Sequence, residues 1–125
     1  MSILGLDVST SILGLTIIEN DKVIFTDAWD FRNKRYFPDI YTKASFIANE
    51  LNDLKANYRI EGVYIEKSLQ MFRSGFSSAK TLSTLSSFNG IVSYLCYREL
   101  GIKPEYVSAS SARKACGIKI PKGQK

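Results

Sequence analysis

The first quarter of the chain contains three short runs of mainly apolar residues. The first run, residues 3–8, is continuous rather than alternating, which is typical of a strand buried on both faces. Residues 12–19 and 22–29 predict two further strands. Asn20 and Asp21 separate these two strands, and such a pair favours the tight turn of a β-hairpin. The pattern therefore predicts an antiparallel meander of three strands.

Two later segments have the spacing of an amphipathic helix. Pro38 and Asp39 open the first helix, whose apolar positions recur at intervals of three and four. This stripe consists of Ile40, Ala44, Ile47, Leu51, Leu54 and Tyr58. The second helix runs from about Ser77 to Leu100 and stops at Gly101, a residue common just after a helix. Its buried side is marked by Leu85, Phe88, Val92 and Leu95, and the opposite side is kept small by Ser83, Ser86, Ser87, Gly90 and Ser93.

Short strands at residues 62–66 and 105–108 each follow a helix, and a brief helix ending at Gly117 comes last. Strands that are connected through helices favour parallel pairing. We find no internal repeat and no linker in residues 1–125. The order predicts a single α/β domain with a mixed sheet, antiparallel at first and then parallel, flanked by helices.

Two acids stand near the carboxyl ends of strands that this order makes neighbours. Asp7 interrupts the first apolar run, and Glu66 ends the strand at residues 62–66. Asp7 can be read as an ordinary turn residue, but ligands in such sheets bind beyond the carboxyl ends of the strands at the switch point. Neighbouring strands are about 4.8 Å apart, so the two carboxylates can share one site. Two hard oxygen donors with no histidine or cysteine nearby favour Mg²⁺ or Mn²⁺.

Composition excludes several other kinds of site. The 125 residues, 45% hydrophobic and 23% charged, fit one small globular domain, and no apolar run is long enough to span a membrane. The sequence contains no histidine, which excludes a Ser-His triad and a classical zinc site. The N-terminus lacks the pattern of a signal peptide. Cys96 and Cys116 fit reduced residues of an intracellular protein, so we expect a cytoplasmic location.

The net charge of +5 is concentrated in two segments that lack acids. The first segment contains Lys67, Arg73 and Lys80, and the second contains Arg113, Lys114, Lys119, Lys122 and Lys125. Taken alone, either segment is explained by a solvated face or a frayed tail as well as by nucleic-acid binding. Two of them in one short chain favour a nucleic-acid surface.

A family resemblance is carried by three stretches of the sequence, "ILGLDVSTSILGLTII", "GVYIEKSLQMF" and "VSASSARKACGIK". Together they resemble the RuvC-type Holliday junction resolvases of the ribonuclease H superfamily, in particular the compact phage and bacterial members. The resemblance implies a ribonuclease H-like fold, with Asp7 and Glu66 as catalytic residues that bind Mg²⁺ or Mn²⁺. It also implies a homodimer that nicks branched DNA by metal-assisted hydrolysis in recombination and repair, inside a bacterial or phage-infected cell.

The same resemblance implies which residues contact DNA. The stretch after Glu66 would contact the junction with an aromatic or apolar wedge, and the basic tail would grip phosphates. The implied DNA-binding residues are Lys67, Met71, Phe72, Arg73, Lys80, Arg113, Lys114, Lys119 and Lys122. For Phe72 we favour the wedge over packing beneath the loop, and for Phe76 we favour packing.

One departure from the family concerns the remaining acids. The resolvases complete their site with two acids on a C-terminal helix, whereas no Asp or Glu follows Glu105 here. We therefore expect that the sequence is truncated at its C-terminus, and that the chain as it stands cleaves poorly or not at all. Two other functions remain open, a non-catalytic binder of branched DNA and an ATP-binding domain of the actin and sugar-kinase type. The latter would use "GLDVSTSILGLTI" as a phosphate cradle.

Overall fold

The computed structural model describes residues 2–66 and 79–108. Its elements are β1 (Ser2–Asp7), β2 (Ile12–Glu19), β3 (Lys22–Asp30), α1 (Ile40–Asn57), β4 (Ile60–Glu66), α2 (Ala79–Leu100) and β5 (Glu105–Val107). The five strands form one sheet in the order β3-β2-β1-β4-β5. This is the predicted α/β fold with a mixed sheet and flanking helices. The brief helix predicted to end at Gly117 lies outside the described residues.

The central strand β1 is the point at which strand pairing changes direction. It pairs antiparallel with β2 and parallel with β4, while β3 extends the antiparallel part and β5 the parallel part. The hairpin between β2 and β3 turns at Asn20 and Asp21, whose φ angles are 52° and 62°. Positive φ at both central residues is what a tight hairpin turn requires, and Asn and Asp tolerate it well. The predicted meander and parallel pairing are therefore confirmed.

Burial along β1 differs from the prediction. Leu4 and Leu6 are buried, but Ile3 and Gly5 on the other face are only half-buried. The reason is that α1 and α2 contribute to a single core on the face of Leu4 and Leu6. A continuous apolar run does not reveal that the described helices cover only one face of the strand.

Helix α1 begins, and helix α2 ends, at the local sequence signals that predict these boundaries. The Asp39 side chain accepts a hydrogen bond from the Thr42 backbone N–H at 2.9 Å, and the Thr42 hydroxyl accepts one from the Asp39 N–H. This capping box fixes the start of α1. After α2, Gly101 adopts a φ of 73° and its N–H donates to the Tyr97 carbonyl at 2.9 Å. No helix in the described part of the chain is long and apolar enough to cross a membrane.

The core joins the two helices to the end of the meander. Phe88 of α2 is fully buried, and its ring lies edge-on to that of Phe31 with the centroids 6.2 Å apart. Phe31 follows directly after β3, so this contact holds the carboxyl end of that strand against α2. Cys96 is a free, buried thiol in the same core, as predicted, and burial raises its pKa to about 12.

Candidate metal-binding site

Asp7 and Glu66 are direct register partners. They are the last residues of β1 and β4, and the parallel pairing of these strands places them side by side. Register partners of parallel strands lie about 4.8 Å apart and project their side chains to the same face of the sheet. That face is the one opposite Leu4 and Leu6, and therefore opposite the two described helices. The two carboxylates predicted as metal ligands are thus placed together at the switch point.

The environment of Asp7 differs from that of a fully hydrated surface acid. Its side chain remains exposed at the strand end, yet the surrounding protein removes enough water to raise the pKa of its carboxyl. Glu66 beside it is half-buried. Desolvation penalises the charged carboxylate, and a bound cation offsets that penalty. A cation at this position would therefore stabilise the ionised form that the protein alone disfavours.

Small residues surround Asp7 on its own face. Gly5 precedes it by two positions, and Gly14 is its register partner on β2. Glycine in a strand interior often marks a place where another backbone or a ligand approaches closely. Sequence reasoning did not single out Gly14, because its position beside Asp7 depends on the register between β1 and β2. Gly14, which has no side chain, leaves space on the side of Asp7 that faces away from Glu66.

The loop that follows Asp7 is held by several hydrogen bonds. The Ser11 N–H donates to the Ser9 hydroxyl at 3.1 Å, and the Ser11 carbonyl accepts from the Phe31 N–H at 2.7 Å. The Lys43 ammonium donates to the Thr10 carbonyl at 2.7 Å. Sequence reasoning also missed Lys43, although one signal was present. A lysine lies on the same helix face as the predicted apolar stripe, three residues after Ile40 and next to Ala44.

Of the predicted DNA-binding residues, only Lys80 lies within the described part of the chain. It is exposed in the first turn of α2. Because α2 carries the chain back between parallel strands β4 and β5, it begins at the edge of the sheet formed by the carboxyl ends of these strands, the edge at which Asp7 and Glu66 also lie. The other predicted contacts lie outside the described residues, namely Lys67, Met71, Phe72, Arg73, Arg113, Lys114, Lys119 and Lys122.

The donor set fits a hard divalent cation that keeps much of its water. Among the described residues, no group of three or more potential metal-ligating side chains is found. Mg²⁺ is commonly bound through one or two protein carboxylates, with water and substrate oxygens completing an octahedral shell. Asp7 and Glu66 supply that number of carboxylates, so the pair fits Mg²⁺ or Mn²⁺.

Comparison with solved structures places this geometry in a known fold. The structure of RuvC from Thermus thermophilus in complex with a Holliday junction substrate matches with a TM-score of 0.70 and 13% identity, over 92% of this chain and 69% of that one. Another Thermus thermophilus RuvC structure gives a TM-score of 0.65 and 15% identity, over 92% of this chain and 68% of that one. The chain has the fold of the RuvC resolvases. At these sequence identities, the similarity shows a shared fold and nothing more.

Part of the same fold occurs in a second class of protein. An exopolyphosphatase-like protein matches with a TM-score of 0.53 and 12% identity, over 89% of this chain but only 33% of that chain. No protein-family model matches the sequence, and no curated protein matches it significantly. This chain covers about twice as large a share of RuvC as of the exopolyphosphatase-like protein.

Proposed function

We propose that the protein is a metal-dependent endonuclease that nicks branched DNA such as Holliday junctions. The observation that carries the proposal is the register pair of Asp7 and Glu66 at the switch point of a RuvC fold. A neighbour with this fold was solved in complex with a Holliday junction substrate. The raised pKa of Asp7 supports the proposal as well, because perturbed carboxyl groups concentrate at functional sites.

Different residues of this chain would bind the cation and the DNA. Asp7 and Glu66 would hold Mg²⁺ or Mn²⁺, and the bound ion would activate water and stabilise the departing oxygen. Gly5 and Gly14 would let the DNA backbone approach the carboxylates. Lys80 would neutralise phosphates near the same edge of the sheet, adding affinity without reading sequence.

We further propose a homodimer built around α2. Gly90, Tyr94 and Tyr97 lie on the exposed part of this helix, and the two tyrosine side chains are 58% and 50% exposed. Ser83 and Ser87 keep the neighbouring turns small, which would let a second helix approach closely. A nuclease that cuts a four-way junction symmetrically needs two active sites, and a two-fold interface supplies them.

The test is nicking of an end-labelled four-way junction by the purified protein in Mn²⁺ or Mg²⁺. We expect slow nicking that depends on the metal, because two carboxylates hold the ion weakly. Asp7→Asn and Glu66→Gln should abolish nicking and leave junction binding, measured by gel shift, largely intact. Nicking that either variant retains in full would overturn the assignment.

The same experiment separates the competing functions. Junction binding with no nicking at any metal concentration would favour a non-catalytic binder of branched DNA. Tight ATP binding without junction binding, measured by calorimetry, would favour the actin and sugar-kinase reading. A linear duplex of the same sequence is the matched substrate control, since a branched-DNA nuclease should bind and nick it much less.

A further inference from the structure

Lys43 occupies an unusual position for a charged residue. It lies on the inner side of α1, three residues after Ile40 and four before the fully buried Ile47. Its side chain is half-buried, and a lysine placed there needs a partner for its ammonium group. The partner is the Thr10 carbonyl at 2.7 Å, a short, charge-assisted hydrogen bond. The ammonium also lies 6.0 Å from the ring centroid of Phe88.

This hydrogen bond joins α1 to the loop 8–11, which begins immediately after Asp7. Thr10 and Lys43 are 33 residues apart in sequence. The loop is also joined to the residue after β3, because the Ser11 carbonyl accepts the Phe31 N–H. Lys43 therefore fixes the middle of the loop, while Phe31 fixes its far end.

We propose that Lys43 is a positioning residue that holds the loop 8–11 and thereby fixes the direction in which Asp7 presents its carboxylate to a divalent cation. The inference rests on the proposed function. Asp7 ends its strand, so the sheet holds its backbone on one side and the loop holds it on the other. A site with two carboxylates has few ligands with which to tolerate misalignment. Loss of a group that hydrogen-bonds a metal ligand commonly weakens metal affinity about 10- to 100-fold, and Lys43, which acts on Asp7 through the Thr10 carbonyl and the loop, should have an effect at the lower end of that range.

Three substitutions separate this role from its alternatives. Lys43→Met keeps the apolar stem but loses the donor, so it should weaken Mn²⁺ binding by about tenfold. Lys43→Arg keeps donor and charge and should restore affinity to within about threefold of the unsubstituted protein. Lys43→Gln keeps a donor on a chain one atom shorter and should lie between the two. Lys55→Met, at an exposed position in the last turn of the same helix, is the matched control and should bind Mn²⁺ normally.

The two main measurements need neither DNA nor turnover, and thermal melting and a gel shift with junction DNA accompany them. Calorimetry gives the Mn²⁺ affinity of each folded variant. Amide hydrogen exchange reports whether residues 8–11 open more often, which we expect for Lys43→Met and not for Lys55→Met. A purely structural lysine would lower the thermal midpoint of Lys43→Met but leave its Mn²⁺ affinity unchanged.

The outcomes that overturn the inference differ from those that overturn the proposed function. Equal Mn²⁺ affinity in Lys43→Met and the unsubstituted protein would overturn the positioning role alone. Unchanged Mn²⁺ affinity combined with weaker junction binding would assign Lys43 to phosphate contact instead. No Mn²⁺ binding by the unsubstituted protein, or binding unaffected by Asp7→Asn, would overturn the proposed function and the inference with it.

Discussion

Gly14 lies opposite Asp7 across the β1–β2 pair, and a Cβ built on Gly14 would come within 3.8 Å of the Asp7 Cβ. That separation is an ordinary van der Waals contact, so alanine fits without moving either strand. A larger side chain would fill the space beside the carboxylate. The packing therefore does not require glycine here, whereas access of a ligand to Asp7 would.

The first prediction compares two substitutions at this position. Gly14→Ala should fold normally and gain up to about 1 kcal/mol in the free energy of unfolding, because alanine loses less backbone entropy. Gly14→Val should also fold, but should reduce nicking about a hundredfold by displacing the reacting groups. Thr16→Val, two positions along the same face, is the control. Full nicking activity in Gly14→Val would show that the space beside Asp7 is not used.

The second prediction concerns how ionisation of the Asp7 carboxyl lowers the stability of the fold. Its pKa is raised in the folded protein, so the folded state binds a proton more readily than the unfolded state. The resulting stabilisation is present at low pH and is lost as the pH rises through the folded pKa. Asp7→Asn cannot ionise, so its melting temperature should exceed that of the unsubstituted protein near neutral pH. The difference should vanish below the ordinary pKa of 3.8.

Glu50 provides the matched control for that experiment. Its pKa is also raised, first by burial and then by the nearby carboxylates of Asp53 and Asp27. Glu50→Gln should therefore raise the melting temperature at neutral pH in the same direction, but should leave Mn²⁺ binding unchanged. A melting temperature of Asp7→Asn below that of the unsubstituted protein at neutral pH would contradict the desolvation argument.

The third prediction concerns Lys80. As an exposed cation in the first turn of α2, near the edge of the sheet at which the carboxylates lie, it should contact phosphate rather than bases. Lys80→Ala should weaken binding to all junction sequences alike and should reduce the salt slope of affinity by about one. Lys55→Ala, in the last turn of α1, should change neither quantity. A changed sequence preference with an unaltered salt slope would refute the phosphate role.

The sequence predicted most of the topology because each deciding signal is local. Asn20 and Asp21 define a turn by themselves, and the stripe of α1 needs only its own spacing. The pairing of Asp7 with Glu66 could be reached because helix-linked strands favour parallel neighbours. By contrast, which face of β1 the helices cover depends on packing that a continuous apolar run does not encode.

The details of the site were less accessible from the sequence. The Lys43 bond to Thr10 spans 33 residues, and only the docked position of α1 brings the two groups together. The placement of Gly14 beside Asp7 depends on the register between β1 and β2, which the apolar pattern of the two strands does not specify. The predicted roles of the basic tail and of the stretch after Glu66 stay predictions, since those residues lie outside the described part of the chain.

The last prediction tests the dimer through Gly90. A Cβ at Gly90 would meet no atom within 4 Å, so the space above it is open in one protomer. Gly90→Ala should raise the stability of the protomer by about 1 kcal/mol through helix propensity. Gly90→Arg should leave the fold intact, but should separate a dimer whose helices approach at this point. Ala56→Arg, on an exposed position of α1, adds the same side chain elsewhere and should leave the dimer unchanged.

Sedimentation velocity at micromolar concentration, with and without junction DNA, distinguishes these cases. We expect the unsubstituted protein and Ala56→Arg to sediment as dimers and Gly90→Arg to sediment as a monomer. Tyr94→Ala should weaken the dimer without destabilising the protomer, because the Tyr94 side chain is 58% exposed in a single chain. A monomer under all conditions would contradict the dimer. A dimer that survives Gly90→Arg would place the two-fold interface on another surface.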